Sequence, residues 1–369
     1  MNIEEELKKD GIEVVEKLDT LLVNSIAKKV SSRLCATFPD YGLNESELFR
    51  KISRLDMYKA KMPEGMSEAN YFYKNTSIYF NINIPDEDLG EFAVHECIHF
   101  IQEVKDKKNN LLRMGLSDYT NGKVTGLGLN EAAVQLMASK TIGIQKDFVK
   151  YFGLSFETIS PSYYPLECCL VNQLGYLFGE DVLFQSTINS DDDFKNKFIK
   201  ETSIKTYICV QNAIDTILNE EENIIKLKNK ILENNDDNAC HNMLEKIEEI
   251  KNEILLTFLR TQNLIISNYF NNSFKKIKTL EDVDKYRRKL YNLKDYLAST
   301  DGYTFYHDYY VEKMAALEHK NNVLENGGKE TAMIVKKESF LSVIIKKIKE
   351  LFSKKEVLQE NFVDIPKNK

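Results

Sequence analysis

Apolar and polar positions follow two different periods along this chain. Val14, Val15, Leu18, Leu21, Leu22, Ile26 and Val30 recur at helical spacing, which puts them on one face of a helix. The pattern predicts one or two helices over residues 3–36, broken near Gly11. A loop containing Pro39, Asp40, Gly42 and Asn44 follows, then a short helix over 46–58. Between Tyr71 and Ile84 the period changes to two. Ile78, Phe80, Ile82 and Ile84 alternate with Tyr79, Asn81 and Asn83 behind the turn-like Lys74-Asn75-Thr76-Ser77, so strands in a hairpin are expected.

Helical spacing then returns. Acidic residues in Pro85-Asp86-Glu87-Asp88 mark a helix start, with the helix running from Leu89 to about Val104. Residues 106–128 are polar and carry Gly115, Gly122, Gly126 and Gly128, as a long loop or short edge strands would. A helix opens near Asn130 and runs to about Lys140, and another covers 166–178 after the Pro161–Pro165 turn. No glycine occurs between Gly179 and Gly302, and that stretch reads as almost wholly helical. Ile224–Leu232 and the stripe Leu244, Ile247, Ile250, Ile254 and Phe258 flank Asn234–Asn238 as in an αα-hairpin. Thr279-Leu280-Glu281-Asp282 opens a further helix. Gly327-Gly328 reads as a linker to a basic amphipathic helix over 336–355. The fold class expected is mainly α with a small β-sheet (α+β).

Composition narrows this picture only slightly. The 369 residues are 43% hydrophobic and 29% charged, ordinary for a chain that buries a core. The net charge of −7 counts against a nucleic-acid partner, which would call for a basic face. The six cysteines form no CxxC pair, so reduced thiols in a cytoplasmic protein are expected. The N-terminal MNIEEELKKDGIEVV has no basic-then-apolar secretory pattern, and no apolar run approaches the roughly 20 residues of a membrane span.

The chemistry concentrates at His95-Glu96-Cys97-Ile98-His99. On a helix, positions i and i+4 share a face about one turn apart, so two imidazoles reach the same metal ion. Glu96 falls beside them, placed to take a proton from an attacking water. Zinc in a catalytic site takes three protein ligands and an open position. The third ligand expected is Glu131, in Gly128-Leu129-Asn130-Glu131-Ala132-Ala133, where small side chains let a second helix come close. A first-turn acid favoured by the helix dipole is the competing reading of Glu131.

An HExxH helix followed by Asn-Glu on a second helix resembles the gluzincin class of zinc metallopeptidases, of which thermolysin is the familiar member. The aromatic strand, HECIHFIQ and GLNEAAVQL resemble in particular uncharacterised gluzincin-like proteins common in Firmicutes. The similarity covers about residues 68–190. The similarity does not reach the helical remainder; the domains expected are a zincin-like catalytic domain over 1–200, a helical domain over 201–325 and a linker with the basic helix over 326–369. The resemblance implies His95, His99 and Glu131 as zinc ligands, Glu96 as general base, and a peptide or protein substrate. Where thermolysin-like proteins carry an Asp that orients a zinc-bound His, this chain has Gln135, a neutral acceptor. Tyr164 is the first candidate for the donor that steadies the oxyanion, with Tyr163 and His307 behind it. The helical region is expected to grip substrate or to serve as an interaction platform. The 336–355 helix is expected to pack on the body, bind a partner groove or lie on an anionic membrane. A regulatory protein that retains the zinc site is the alternative to a peptidase.

Overall fold

Charged residues hide the first two strands. The computed structural model describes residues 3–9, 11–63, 67–233, 236–300 and 305–326. Helix α1 (Ile3–Lys9) is followed by strand β1 (Glu13–Lys17), then helices α2 (Thr20–Thr37) and α3 (Glu45–Ile52) and strand β2 (Asp56–Lys61). Val14 and Val15, expected on a helix, therefore lie in a strand, 43% and 46% exposed. Two adjacent β-branched residues favour extended backbone, and β1 pairs antiparallel with β2. The first long helix begins only where the Asp19 carboxylate accepts from the Leu22 N–H at 2.8 Å, an N-cap bond. Its buried stripe is Val23, Ile26, Ala27, Val30 and Leu34, while Leu21 faces water. The helix expected over 46–58 stops at Ile52, and its second half is β2. Lys59 conceals that strand: its ammonium is buried, held by the Ile84 carbonyl and by Asp86 at 3.0 Å.

Strands β3 (Ala69–Phe72) and β4 (Ser77–Asn81) form the expected hairpin, and β4 also pairs parallel with β2. The sheet order is β1-β2-β4-β3, which leaves β3 on an edge. Against β3 and β4 packs α4 (Leu89–Gln102). Leu89, Ala93, Val94, Cys97 and Ile98 are all buried, as in a helix enclosed on most sides. Strands β5 (Glu103–Lys105), β6 (Leu111–Met114) and β7 (Ser117–Asp118) make a small antiparallel sheet, leading to α5 (Leu127–Ile142). Ala132, Ala133 and Ala138 on α5 are buried, and α5 packs on α4.

A second hairpin, β8 (Asp147–Tyr151) with β9 (Leu154–Thr158), precedes α6 (Pro165–Phe178), α7 (Glu180–Asn189) and α8 (Asp193–Glu201). The long α9 (Ile204–Glu233) and α10 (Asp237–Lys275) pack on each other, and α11 (Leu280–Asn292) and α12 (Phe305–Glu325) complete the described chain. The fold is mainly α with small β-sheets.

Residues Met1–Asn321 form one compact unit, whose boundary falls within α12. The boundary drawn at residue 200 falls inside this unit, where α9 packs on α5 and α6. The Gly327-Gly328 linker and the basic 336–355 helix lie outside the described residues. Among the described residues no helix is long and apolar enough to cross a membrane.

Candidate metal centre

Two buried helices bring the site together. Helix α4 carries His95 and His99 one turn apart, and α5 presents Glu131 from its N-terminal part. The two Nε2 atoms lie 2.9 Å from each other, and Glu131 Oε2 lies 3.2 Å from His95 Nε2 and 3.3 Å from His99 Nε2. Among the described residues, this is the one group of three or more His, Cys, Asp or Glu side chains close enough to share a metal ion. A tetrahedral centre with bonds of about 2.0–2.1 Å has ligand-to-ligand edges of roughly 3.3 Å. The His–Glu distances match that edge, and the His–His distance falls a little short. Three atoms able to act as ligands thus converge where one metal ion could be held.

The surrounding groups fix the orientation of each ligand. His95 Nδ1 bonds to Gln135 Oε1 at 2.9 Å, and Gln135 Nε2 donates to Ser139 Oγ at 3.2 Å. With the Gln135 carbonyl facing the imidazole, as here, the proton of a neutral His95 sits on Nδ1 and Nε2 turns inward to Glu131. The His99 Nδ1 atom is buried with no hydrogen-bond partner among the described residues. Burial pulls the His99 basicity down, but the Glu131 carboxylate, with Gln102 adding to it, makes the net shift upward. Burial alone would raise the Glu131 acid, yet the two histidines hold it well below the usual carboxylate range.

Glu96 is buried beside the cluster, and its Oε2 accepts the Tyr71 N–H at 2.7 Å. Burial pushes its carboxyl up to about 7; His95 and the Tyr71 N–H oppose the shift, and Glu131 adds to it. Tyr71 belongs to the edge strand β3 and also donates its hydroxyl to Glu103 at 2.8 Å. An edge strand has backbone donors free of the ladder, and one of them is spent on Glu96.

Tyr164 stands next to the triad, its ring near-parallel to His95 with centroids 6.2 Å apart. Its backbone is left-handed, with φ 49°, directly before Pro165 at the start of α6. Proline disfavours the right-handed helical region for the residue before it, and left-handed backbone in a bulky residue is strained. Burial, then Glu131, Glu96 and Glu167, raise the Tyr164 phenol well above its ordinary value. Tyr163 responds instead to burial and Glu68, and His307 is exposed on α12.

Several supporting residues carried no sequence signal. Tyr119 is pushed up to about 12, by burial and then by Glu131, which places its phenol near the third ligand. Gln102 and Asn130 clamp α4 to α5: the Gln102 amide donates to Asn130 Oδ1 at 3.4 Å, and the Asn130 amide returns a bond at 3.3 Å. Asn130 Oδ1 also accepts the Leu116 N–H at 3.0 Å. Asn130 immediately precedes Glu131, so this clamp sets where the ligand emerges. The Asn-Glu pair was legible in the sequence, but its amide partner was not. No protein family, curated protein or solved structure matches the chain.

Proposed function

We propose that the chain is a zinc-dependent peptidase of gluzincin type, with His95, His99 and Glu131 as ligands and Glu96 as general base. The observation that carries this reading is the convergence of His95 Nε2, His99 Nε2 and Glu131 Oε2, with Glu96 beside them. Zinc, when bound, supplies a Lewis acid that polarises the scissile carbonyl and makes water acidic near neutral pH. Glu96 takes the proton of the attacking water and passes it to the leaving amine. Burial raises its carboxyl to about 7 in the metal-free chain, and a bound cation would draw it back down. The Tyr71 N–H holds one Glu96 oxygen and leaves the other for the proton. In this reading the Gln135 carbonyl accepts the His95 Nδ1 proton and leaves Nε2 free to bind. The Tyr164 hydroxyl, kept protonated by burial and by neighbouring carboxylates, is the donor assigned to the developing oxyanion. None of the six cysteines is in a disulfide, which agrees with a cytoplasmic site of action.

A regulatory protein that retains the metal is the second reading. Neutral Gln135 favours it, because a charged acceptor would make His95 a stronger ligand. Zinc content and cleavage of a diverse peptide library, compared between wild type and Glu96→Gln, separate the two. The peptidase reading expects one zinc per chain in both proteins and cleavage only in wild type, with a loss of at least about 100-fold in the variant. Zinc in both with no cleavage difference selects the regulatory reading. Wild type without zinc overturns both.

A further inference from the structure

Helix α5 begins without a capping side chain of its own. Its N-cap is Gly126, and the first N–H groups of a helix need acceptors from elsewhere. They find them on α9. The Asp215 carboxylate accepts the Gly126 N–H at 2.7 Å through Oδ2 and the Gly128 N–H at 2.9 Å through Oδ1. The two helices also touch backbone to backbone. A Cβ on Gly128 would come within 2.9 Å of the Ile214 carbonyl oxygen, and one on Gly126 would run into the Gln211 amide, both on α9. Side chains are missing here because α9 occupies their place.

We propose that Asp215 is a positioning residue that sets the start of α5 and thereby holds Glu131 against His95 and His99. For its consequence at the metal, the proposal rests on the zinc reading above. Glu131 lies three residues beyond Gly128, within the first turns that Asp215 fixes. A one-residue slip of the chain along the docked α5 would turn Glu131 by about 100° about the helix axis. That turn takes its carboxylate away from both Nε2 atoms. The Gln102–Asn130 clamp holds α5 to α4 from one side, and Asp215 holds it from α9. One role of the helical region is thereby defined: it finishes the metal site from outside the segment that carries the ligands.

The test uses the full chain with Asp215→Ala and Asp215→Asn. Zinc affinity, measured against a competing chelator, should fall about 10- to 100-fold in Asp215→Ala. Asp215→Asn keeps one carbonyl acceptor and should recover part of the loss; it also serves if the alanine variant does not fold. With cobalt(II) in place of zinc, the visible d–d bands of Asp215→Ala should move towards those of Glu131→Ala. In the metal-free protein, amide exchange over residues 126–134 should quicken by about tenfold or more while α4 keeps its protection. Wild-type affinity and wild-type cobalt bands in Asp215→Ala overturn the proposal, as does exchange that quickens equally in α4 and α5. If wild type binds no metal, the zinc reading fails. The exchange experiment then decides alone whether Asp215 sets α5, and unchanged exchange over 126–134 overturns it.

Discussion

Glu96 holds a telling charge, because burial outweighs the opposing pull of His95 and of the Tyr71 N–H on its carboxyl. Its titration yields a stability prediction for the metal-free protein. Below the ordinary value of 4.5 the folded and unfolded chains both hold the Glu96 proton. As pH rises towards about 7 the unfolded chain ionises while the folded one resists, so the fold loses stability across this window. Above about 7 the penalty is complete, about 3 kcal/mol. Glu96→Gln has no charge to bury and keeps an acceptor for the Tyr71 N–H. Urea unfolding of the metal-free proteins should therefore show the variant gaining on wild type between pH 4.5 and about 7, then holding a constant lead. A difference that stays flat over that range would show that Glu96 ionises freely in the fold. At this scale the sequence was informative where chemistry follows local spacing. His95, Glu96 and His99 are fixed by helical period alone, and Gln135 by its place one turn beyond Glu131. Tyr71 and Tyr119 reach the site through tertiary contacts, and no spacing announces those.

Elements were legible where their ends are signalled locally. Thr279 caps α11, and Asp282 returns the bond in a capping box, as the Thr-Leu-Glu-Asp run predicts. The turn between β3 and β4 was equally plain. The start of α5 was not: the helix opens at Leu127 instead of Asn130 because its cap is Asp215, far away in sequence. Strands β1 and β2 were missed because their exposed valines and buried lysine blur the expected alternation. The loop joining β6 to β7 gives the test of how elements are locked at the site. Gly115 there has φ 57°, and a Cβ would meet Asn130 Oδ1 at 2.0 Å and Gln102 Nε2 at 2.6 Å. Gly122 has φ 70° and open space around it. Alanine at Gly122 should cost only the backbone term, about 1 kcal/mol. Alanine at Gly115 adds displacement of the buried amide clamp, for a total of about 2–4 kcal/mol. Urea unfolding of both variants measures the difference, and equal losses would mean that the clamp yields without cost.

At the scale of the molecule, the helical region packs directly on the segment that carries the ligands. Sequence could not show this, because an amphipathic face does not name what covers it. On α9, Tyr207, Val210, Ile214 and Ile217 are buried, and on α10 so are Ile254, Phe258, Ile265, Ile266 and Phe270. Helix α9 packs on α5 and α6, and α10 packs on α6 and α9. A chain ending at residue 200 would bare the apolar faces of α5 and α6 and leave the first N–H groups of α5 without Asp215. Burial of large apolar side chains contributes about 1.5–3 kcal/mol each, while a whole domain is stable by only about 5–15 kcal/mol. Losing even a handful of these contacts exceeds that margin. Residues 1–200 alone should therefore show no cooperative thermal transition by circular dichroism and no stoichiometric zinc. A chain ending at residue 326 keeps every ligand and every contact named above, and should melt cooperatively with the full complement of metal. A cooperative, zinc-binding 1–200 fragment would establish a self-sufficient catalytic domain and leave α9 without a part in the site.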